Sequence, residues 1–304
     1  MKLPVSVEKT GSATDIFSNP IVIVLIAAIL IGAGYYIFKK RKPELMFHWN
    51  GPLPEPHIRT LADMKGVLAA PDIGADDPDR PLYFMYRDLA LNEEDRLWLS
   101  ARSLRYDMTV IPPGVIGPEF VKTKGHYHPE NPAGVRYPEV YEVIEGEAHF
   151  LLQRPDASDV VLVKAGAGDV VVIPPGFGHV TINPGNVDLV MANLVSTAFS
   201  SDYAPYAAMG GAACYEMADG TFVKNPRYPG TATVRMAAPL PVPAFCTAPG
   251  TPIYGLVGKR DVSRSLNRSE WYIKAFNALT AGYCGHRHLC LQGACSAYSR
   301  PSEQ

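Results

Sequence analysis

The sequence predicts an all-β domain, a sandwich or small barrel, preceded by an N-terminal transmembrane helix. Three observations carry this prediction. Proline (28) and glycine (26) are both frequent, which suits short strands joined by tight turns better than a helical bundle. Short apolar and aromatic runs bounded by turn residues recur from residue 82 to residue 195. A long uncharged segment lies near the N-terminus and differs in composition from everything after it.

The uncharged segment is residues 20–38, PIVIVLIAAILIGAGYYIF. As a helix it would extend about 28 Å, close to the thickness of the hydrocarbon core of a bilayer. The basic residues 39–42 follow this segment instead of preceding it, which is unlike a cleaved secretory signal. The same basic cluster predicts that the chain after it faces the cytoplasm. We therefore expect residues 1–19 outside the cytoplasm, one membrane anchor at 20–38, and a cytoplasmic domain from residue 43.

The remaining chain shows a strand pattern over most of its length. A Pro-punctuated stretch leads to a short helical pattern at 60–67, and an Asp-, Pro- and Gly-rich loop at 70–81 precedes the first strand. Strand-like runs then follow near Thr109 and Phe120 and at 82–86, 139–144, 148–153, 159–163, 169–174 and 187–195. So many short strands in so short a stretch favour a sandwich or barrel.

The composition bounds the partners and the compartment. Lys and Arg (28) nearly balance Asp and Glu (30), for a net charge of −2, so we expect no nucleic-acid partner. The five cysteines are an odd number, and Cys214 and Cys246 stand apart from the others. Because this is not the pattern of a disulfide framework, a reducing compartment fits best.

Residues 230–304 form an Ala- and Pro-rich extension that suits an ordered wrap or a linker, with a short helical pattern at 269–279. Its end holds a cluster of thiols and imidazoles: Cys284, His286, His288, Cys290 and Cys295. Such groups can ligate zinc, but their spacings are wider than the tight pairs of common zinc modules. An unpaired tail is therefore the favoured interpretation, and a second metal site the alternative.

A metal-binding pattern lies in the strand-rich part. His126 and His128 form an H-x-H pair, and residues separated by one position point to the same face of a strand. Alone, this pair is weak evidence, because two polar residues on a solvated strand look the same. Glu139 then opens a strand that ends at a glycine turn, and His179 follows a Pro-Pro-Gly turn. Imidazole and carboxylate groups are typical ligands of transition metals.

These positions resemble the two motifs of the cupin superfamily, H-x-H…E-x6-G and G-x5-P-x-G-x2-H-x3-N. The second motif is matched in full from Gly168 to Asn183, whereas residues 129–138 make the spacer of the first motif longer than is usual in cupins. The resemblance implies a single-domain small β-barrel or jelly roll over residues 43–229. It also implies one divalent ion, with iron as the first expectation and Mn, Ni, Co or Zn left open. The implied metal ligands are His126, His128, Glu139 and His179.

A narrower resemblance is carried by three strings, GPEF at 117–120, TKGHYH at 123–128 and PEVY at 138–141. They are similar to the cupin-type glucose-6-phosphate isomerases found mainly in archaea, and the similarity runs from about residue 59 to residue 228. The resemblance implies a metal-dependent aldose–ketose isomerase that interconverts glucose 6-phosphate and fructose 6-phosphate in glycolysis and gluconeogenesis. The implied partners are a phosphorylated sugar and a second copy of the chain in a homodimer, besides the membrane.

Further site residues carry over from the same resemblance. The implied substrate-binding residues are Thr109, Thr123, Gly125 and Tyr141, and the implied catalytic residues are Glu139 and Tyr203. Hydroxyl groups and a glycine amide are suited to donate to phosphate oxygens. Two roles stay open for Glu139, a general base or only a metal ligand beside a direct hydride transfer between carbons. Tyr203 can shuttle a hydroxyl proton or only pack, and residues 204–206 after it depart from the glycine expected there.

Strand alternation places Lys124 on the opposite face from Thr123, so we expect an outward, solvated lysine rather than a phosphate ligand. Two other functions compete with the isomerase. A non-catalytic cupin would sense a sugar phosphate at the membrane, and a cupin dioxygenase would consume oxygen on an organic substrate. The TKGH string and the phosphate-type hydroxyls argue against the dioxygenase.

Overall fold

Strands make up most of the ordered elements in the computed structural model, which describes residues 49–70, 73, 77–229, 233–239 and 252–268. This confirms a mostly β, sheet-rich domain. The strands are β1 (His57–Thr60), β2 (Pro81–Tyr86), β3 (Leu104–Ile111), β4 (Val115–Ile116), β5 (Glu119–Phe120), β6 (Glu139–Glu145), β7 (Glu147–Gln153), β8 (Val160–Gly166), β9 (Val170–Ile173), β10 (Gly178–Ile182), β11 (Leu189–Ser196), β12 (Cys214–Glu216), β13 (Phe222–Lys224) and β14 (Val234–Ala237). The helices are α1 (Leu61–Met64), α2 (Glu93–Ser100), α3 (Ala204–Ala208) and α4 (Arg260–Asn267), with a 3-10 turn at Ile253–Leu256.

The strands form two principal sheets. The larger has the order β1-β2-β3-β11-β6-β9, and all of its neighbouring strands are antiparallel. The smaller has the order β10-β7-β8-β14, in which β14 runs parallel to β8. The pairs β4-β5 and β12-β13 form two further small sheets. Consecutive strands β6 and β7 belong to different sheets, so the chain crosses between them at this point.

Alternation along the strands places one set of side chains between the two sheets. On β3, Ile111 belongs to the inner hydrophobic cluster, whereas Met108 belongs to the cluster on the outer face. The inner cluster joins β6 and β11 of the larger sheet to β7 and β8 of the smaller one, through residues such as Val143 and Phe150. Because side chains alternate with a period of two, the polar residues at inward positions on β3, β6 and β11 point to the same interior.

The outer faces of both sheets are also covered. On the larger sheet, α2 and residues 252–268 pack over the outward side chains, with Ile253 and Leu266 fully buried. The backbone amide of Ile253 also donates to Glu142 Oε2 at 2.7 Å, which ties this segment to β6. On the smaller sheet, three tyrosines, Tyr127, Tyr206 and Tyr228, join the outward cluster.

The turn between β6 and β7 requires glycine. Gly146 has a φ of +82°, and a Cβ on it would lie 2.8 Å from the carbonyl oxygen of Asp188. This confirms the turn that the sequence places at the end of the Glu139 strand. It also explains the glycine at this position of the first motif, since a side chain would block the crossover between the sheets.

No helix in the described part of the chain is long and apolar enough to cross a membrane. Its longest helices, α2 and α4, have 8 residues each, against about 20 for a membrane span. This finding contradicts the expected localisation, a single-helix anchor with the domain facing the cytoplasm, and that localisation is not carried forward. The segment 20–38, on which the prediction was based, lies outside the described residues.

The predicted C-terminal extension is described only in part. Residues 234–237 form β14, and residues 253–267 form the 3-10 turn and α4. The predicted helix at 269–279 and the cluster at 284–295 lie outside the described residues, as does residue 246. The domain boundaries drawn from the sequence stay predictions.

Candidate metal centre and cavity

Four side chains converge between the two sheets. Glu139 begins β6, His179 lies in β10, and both His126 and His128 come from the segment after β5. His126 is held against β10 by a two-residue bridge, with its amide 3.4 Å from the His179 carbonyl and the reverse pair at 3.2 Å. One ligand atom from each of the four side chains lies within 4.8 Å of all the others. The structure therefore brings the four predicted metal ligands together.

The carboxylate of Glu139 is oriented by a neighbour on β11. Asn193 Nδ2 donates to Glu139 Oε1 at 2.7 Å, and both side chains are buried. Oε2 is left facing the imidazoles, 3.3 Å from His128 Nε2 and 3.6 Å from His179 Nε2. One oxygen is thus held by the protein and the other is directed to the centre.

His128 is oriented by the longer spacer that follows it. Its Nδ1 lies 2.9 Å from the carbonyl oxygen of Tyr137, and the Arg136 guanidinium donates to the His128 carbonyl at 2.8 Å. Because a carbonyl can only accept, Nδ1 must carry a proton, so Nε2 is the nitrogen that offers a lone pair to a metal whenever the ring is neutral. The ring of Phe199 also packs on His128, with ring centroids 4.6 Å apart. Residues 129–138 therefore fix the tautomer that a metal ligand needs.

Burial sets the protonation states of the cluster. It lowers the pKa of His126 to about 4 and the pKa of His179 well below its usual value, and the neighbouring imidazoles act in the same direction. Burial alone would raise the pKa of Glu139, but the hydrogen bond from His128 and the charges of His128 and His126 outweigh it and lower that pKa. Near neutral pH, His126 and His179 are therefore uncharged and Glu139 is ionised.

These residues fit a divalent transition metal. Neutral imidazoles and an ionised carboxylate are the forms that bind metal ions, and here they share one point. A buried carboxylate surrounded by lone pairs is costly without a cation. The mixed nitrogen and oxygen set suits Fe, Mn, Ni, Co or Zn. Tyr141 adds a hydroxyl 3.3 Å from His179 Nε2, and burial, followed by the Glu139 charge, raises the pKa of that hydroxyl.

The cluster forms part of the wall of a cavity of about 300 Å³. Of the predicted substrate and catalytic residues, Thr109, Thr123, Tyr141 and Tyr203 line it. The Tyr203 ring centroid is 5.2 Å from that of His126. Thr123 Oγ1 already accepts a hydrogen bond from the Thr181 amide at 2.9 Å, which leaves its hydroxyl proton for a ligand. The roles of these residues stay predictions.

Gly125 does not line the cavity. A Cβ on it would lie 2.5 Å from the Tyr206 ring and 2.8 Å from Val180, so the close approach of these side chains requires glycine. Tyr206 is the last of residues 204–206, where the chain departs from its resemblance, and its ring lies against the backbone of Gly125.

Gly125→Ala is expected to destabilise the fold by about 1–3 kcal/mol, the usual cost of overpacking a well-packed core. Urea unfolding measures this loss as a change in midpoint at constant slope. The matched control is Gly166→Ala, where a new Cβ meets nothing within 4 Å. Equal stability of the two variants would contradict the packing explanation.

Lys124 lines the cavity, so the expectation of an outward, solvated lysine is wrong. Its Nζ donates to the Asp63 carbonyl at 2.8 Å and lies 5.8 Å from the centre of the Tyr203 ring. The alternation argument fails because residues 121–128 form only isolated bridges and no continuous strand. Burial lowers the pKa of Lys124, and the charge of Arg59 acts in the same direction.

The sequence reasoning missed several cavity residues, among them Tyr83, Arg87, Arg105, Asp107, Asn193 and Phe199. A signal existed for two of them. Asp107 and Asn193 are polar residues inside strands, and their immediate neighbours in the sequence are buried apolar residues. A buried polar side chain in such a place needs a hydrogen-bonding partner and so marks a site. Arg87 gave no comparable signal, because it lies just past the end of its strand.

The fold and the four-ligand cluster together define a class of protein: a β-sheet protein with three histidines and one carboxylate grouped in an internal cavity. The sequence model of the glucose-6-phosphate isomerase (GPI) family matches residues 58–231. The chain belongs to this family.

Individual proteins are similar over shorter stretches. The glucose-6-phosphate isomerase of Pyrococcus horikoshii is 31% identical over 99 residues, covering 33% of this chain and 48% of that protein. The glucose-6-phosphate isomerase of Thermococcus kodakarensis is 29% identical over 177 residues, covering 56% and 86%. The chain spans about half the length of the first curated relatives it matches. Among solved structures, oxalate decarboxylase from Bacillus subtilis is 19% identical over 40% of this chain and 27% of that chain, with a TM-score of 0.28.

Proposed function

We propose that the protein is a metal-dependent isomerase that interconverts glucose 6-phosphate and fructose 6-phosphate. One observation carries the proposal: in a chain of the GPI family, three imidazoles and a carboxylate meet in a cavity that hydroxyl and cationic side chains line. The finer assignments belong to the same proposal. They are a cupin-type barrel, one divalent ion with iron as the first candidate, and the residue roles given below.

The cavity suits an anionic sugar. Thr109, Thr123 and Tyr83 present hydroxyl groups, and Lys124 adds a cationic group beside them. The Lys124 amide donates to Tyr83 Oη at 3.0 Å, so the phenol proton of Tyr83 is free to donate to a ligand. These four residues form the hydroxyl-lined end of the cavity. A phosphate bound there would receive hydrogen bonds from several directions without leaving a buried charge unpaired. The homodimer stays a prediction.

The reaction moves a hydrogen between C1 and C2 of the sugar and a proton between their oxygens. A bound divalent ion supplies electrostatic stabilisation for the negative charge on those oxygens. Glu139 Oε2 faces the imidazoles of the cluster. The lowered pKa of Glu139 keeps this carboxylate ionised, so it can accept a proton. Tyr141 lies beside His179 and Tyr203 beside His126 in the cavity wall, and their hydroxyl groups would hold or relay the hydroxyl proton.

The proposal is tested by a coupled assay that follows the conversion of fructose 6-phosphate by the full chain. We expect EDTA treatment to abolish turnover and one or more of Fe, Mn, Ni, Co and Zn to restore it when added singly. Oxygen uptake is recorded in parallel. Full turnover by the metal-free protein would refute the metal requirement. Metal-dependent binding of the sugar phosphate without turnover under any metal, or oxygen consumption on an organic substrate, would refute the isomerase.

A further inference from the structure

Two arginines in the cavity wall converge on one buried carboxylate. Arg105 Nε donates to both oxygens of Asp107 at 2.8 Å, and Arg87 Nη1 lies 3.6 Å from Oδ2. The backbone amide of Asp88 donates to Oδ1 at 2.9 Å. The Asp107 side chain is only 5% exposed, so this anchor is rigid and leaves the cluster one net positive charge.

The arginines keep donors for another ligand. Arg105 donates to Asp107 through Nε alone. In the described part of the chain, its two Nη groups donate to no other protein atom. Among the described residues, Arg87 Nη2 has one hydrogen-bond contact, with the thioether of Met85 at 3.2 Å, which is a weak acceptor. The two side chains are 29% and 32% exposed, and both line the cavity. Guanidinium groups with a fixed plane and free donors are suited to bind phosphate oxygens.

Strand register separates this cluster from the hydroxyl-lined end. On β3, Arg105 and Thr109 point inward four residues apart, which corresponds to about 13 Å along the strand. Tyr83 on β2 and Arg87, one residue past the end of that strand, are likewise four residues apart. The cavity therefore offers two groups of anion-binding side chains, one at each of these levels of the sheet.

The same register places the arginines level with the metal cluster. Arg105 is paired with Val195 on β11, and Val195 is paired with Glu139 on β6. One strand thus lies between the arginines and the carboxylate, a lateral distance of about 10 Å. A second phosphate, carried on the end of the sugar that lies at the metal cluster, would come within reach of the guanidinium groups.

We propose that Arg87 and Arg105, held by Asp107, form a second anion subsite, so that the cavity also binds sugars with a phosphate at each end. This inference rests on the proposed function, since it takes the first phosphate and the sugar to lie as they would in the isomerase. A hexose 1,6-bisphosphate would bind across the cavity and compete with the monophosphate substrate.

The test is calorimetric titration of the metal-loaded full chain with fructose 1,6-bisphosphate and with fructose 6-phosphate. Charge-assisted hydrogen bonds to a second phosphate should make the bisphosphate bind at least about tenfold more tightly. The double variant Arg105→Gln/Asp107→Asn removes the guanidinium of Arg105 and the carboxylate that anchors both arginines, leaves the net charge of the cluster unchanged, and has an asparagine that can still accept from the Asp88 amide. It should lose most of that advantage, because the Arg105 donors are gone and Arg87 is no longer anchored, while its affinity for the monophosphate changes less than about twofold. Arg105→Lys keeps the positive charge, so it should retain part of the tighter binding of the bisphosphate.

The matched control is Arg96→Gln, at a surface arginine that pairs with Asp88 and Glu93 and does not line the cavity. It should leave both affinities unchanged, and thermal unfolding verifies that each variant is folded. Equal binding of the two sugars by the wild-type protein would overturn the inference. So would an equal loss for both sugars in the double variant, because the arginines would then hold the phosphate of the monophosphate. Fructose 6-phosphate turnover is scored separately, so its absence would count against the proposed function alone.

Discussion

Glu139→Gln is expected to reduce turnover of fructose 6-phosphate at saturating metal by a factor of about 10²–10⁴, the usual contribution of a general base. Glutamine keeps the size of the side chain and an oxygen at the cluster, but it cannot take a proton. With that oxygen at the cluster, the NH2 group of glutamine faces Asn193, whose own amide must turn so that its Oδ1 accepts from it. The measurement is kcat for both proteins over a range of metal concentrations that reaches saturation for each.

This design separates the two roles that the sequence leaves open for Glu139. If the side chain is only a ligand and a hydride passes directly between carbons, the variant binds metal more weakly but regains most of its turnover once the metal saturates. If Glu139 is the general base, saturating metal fills the site of the variant but does not restore its kcat. A matched control is Glu142→Gln, three residues along the same strand, whose side chain faces the outer side of the sheet and accepts from Ile253. Its kcat should stay close to that of the wild-type protein.

Asn193→Leu is expected to weaken metal binding by a factor of about 10–100, the usual effect of removing a hydrogen-bonding partner of a metal ligand. Leucine fills a similar volume but leaves Glu139 Oε1 buried without its 2.7 Å donor. The carboxylate can then turn away from His128 and His179. Competition with a chromogenic chelator measures the affinity directly, without reference to catalysis.

The control for this variant is Asn225→Leu. Asn225 is equally buried and donates to two backbone carbonyls, but it does not line the cavity. Both substitutions should lower the free energy of unfolding, because each leaves buried polar groups unpaired. Only the change at residue 193 should weaken metal binding. Loss of metal affinity in both variants would mean that general destabilisation, not the orientation of Glu139, is the cause.

Much of the fold could be predicted because strand formation depends on local pattern. The runs at 82–86, 139–144 and 148–153 each correspond closely to a strand of the structure. The glycine turn at residue 146 was equally readable, since a positive φ limits the choice of residue. The covering of the larger sheet by residues 252–268 was not readable. That contact joins residues 252–268 to strands far away in the sequence, β11 and β6 among them, and no local pattern specifies such a partner.

The centre was predictable for a different reason than the rest of the cavity. His126, His128 and His179 occur in motifs with fixed spacing, so their convergence follows once the strands are paired. Lys124 shows the limit of such reasoning: strand alternation was applied to a segment that is not a strand, and the wrong face followed. The arginine cluster depends on the register between β2 and β3, which is a property of the folded sheet and not of either strand alone.

The spacer at 129–138 holds His128 through a main-chain oxygen, that of Tyr137. Every amino acid carries such an oxygen, so the constraint falls on where the backbone passes and not on which side chain it bears. In this chain we therefore expect the loop to tolerate exchanges of residue type far better than changes of length. A deletion of one residue would move the carbonyl away from the imidazole, whereas most replacements at position 137 would leave it in place.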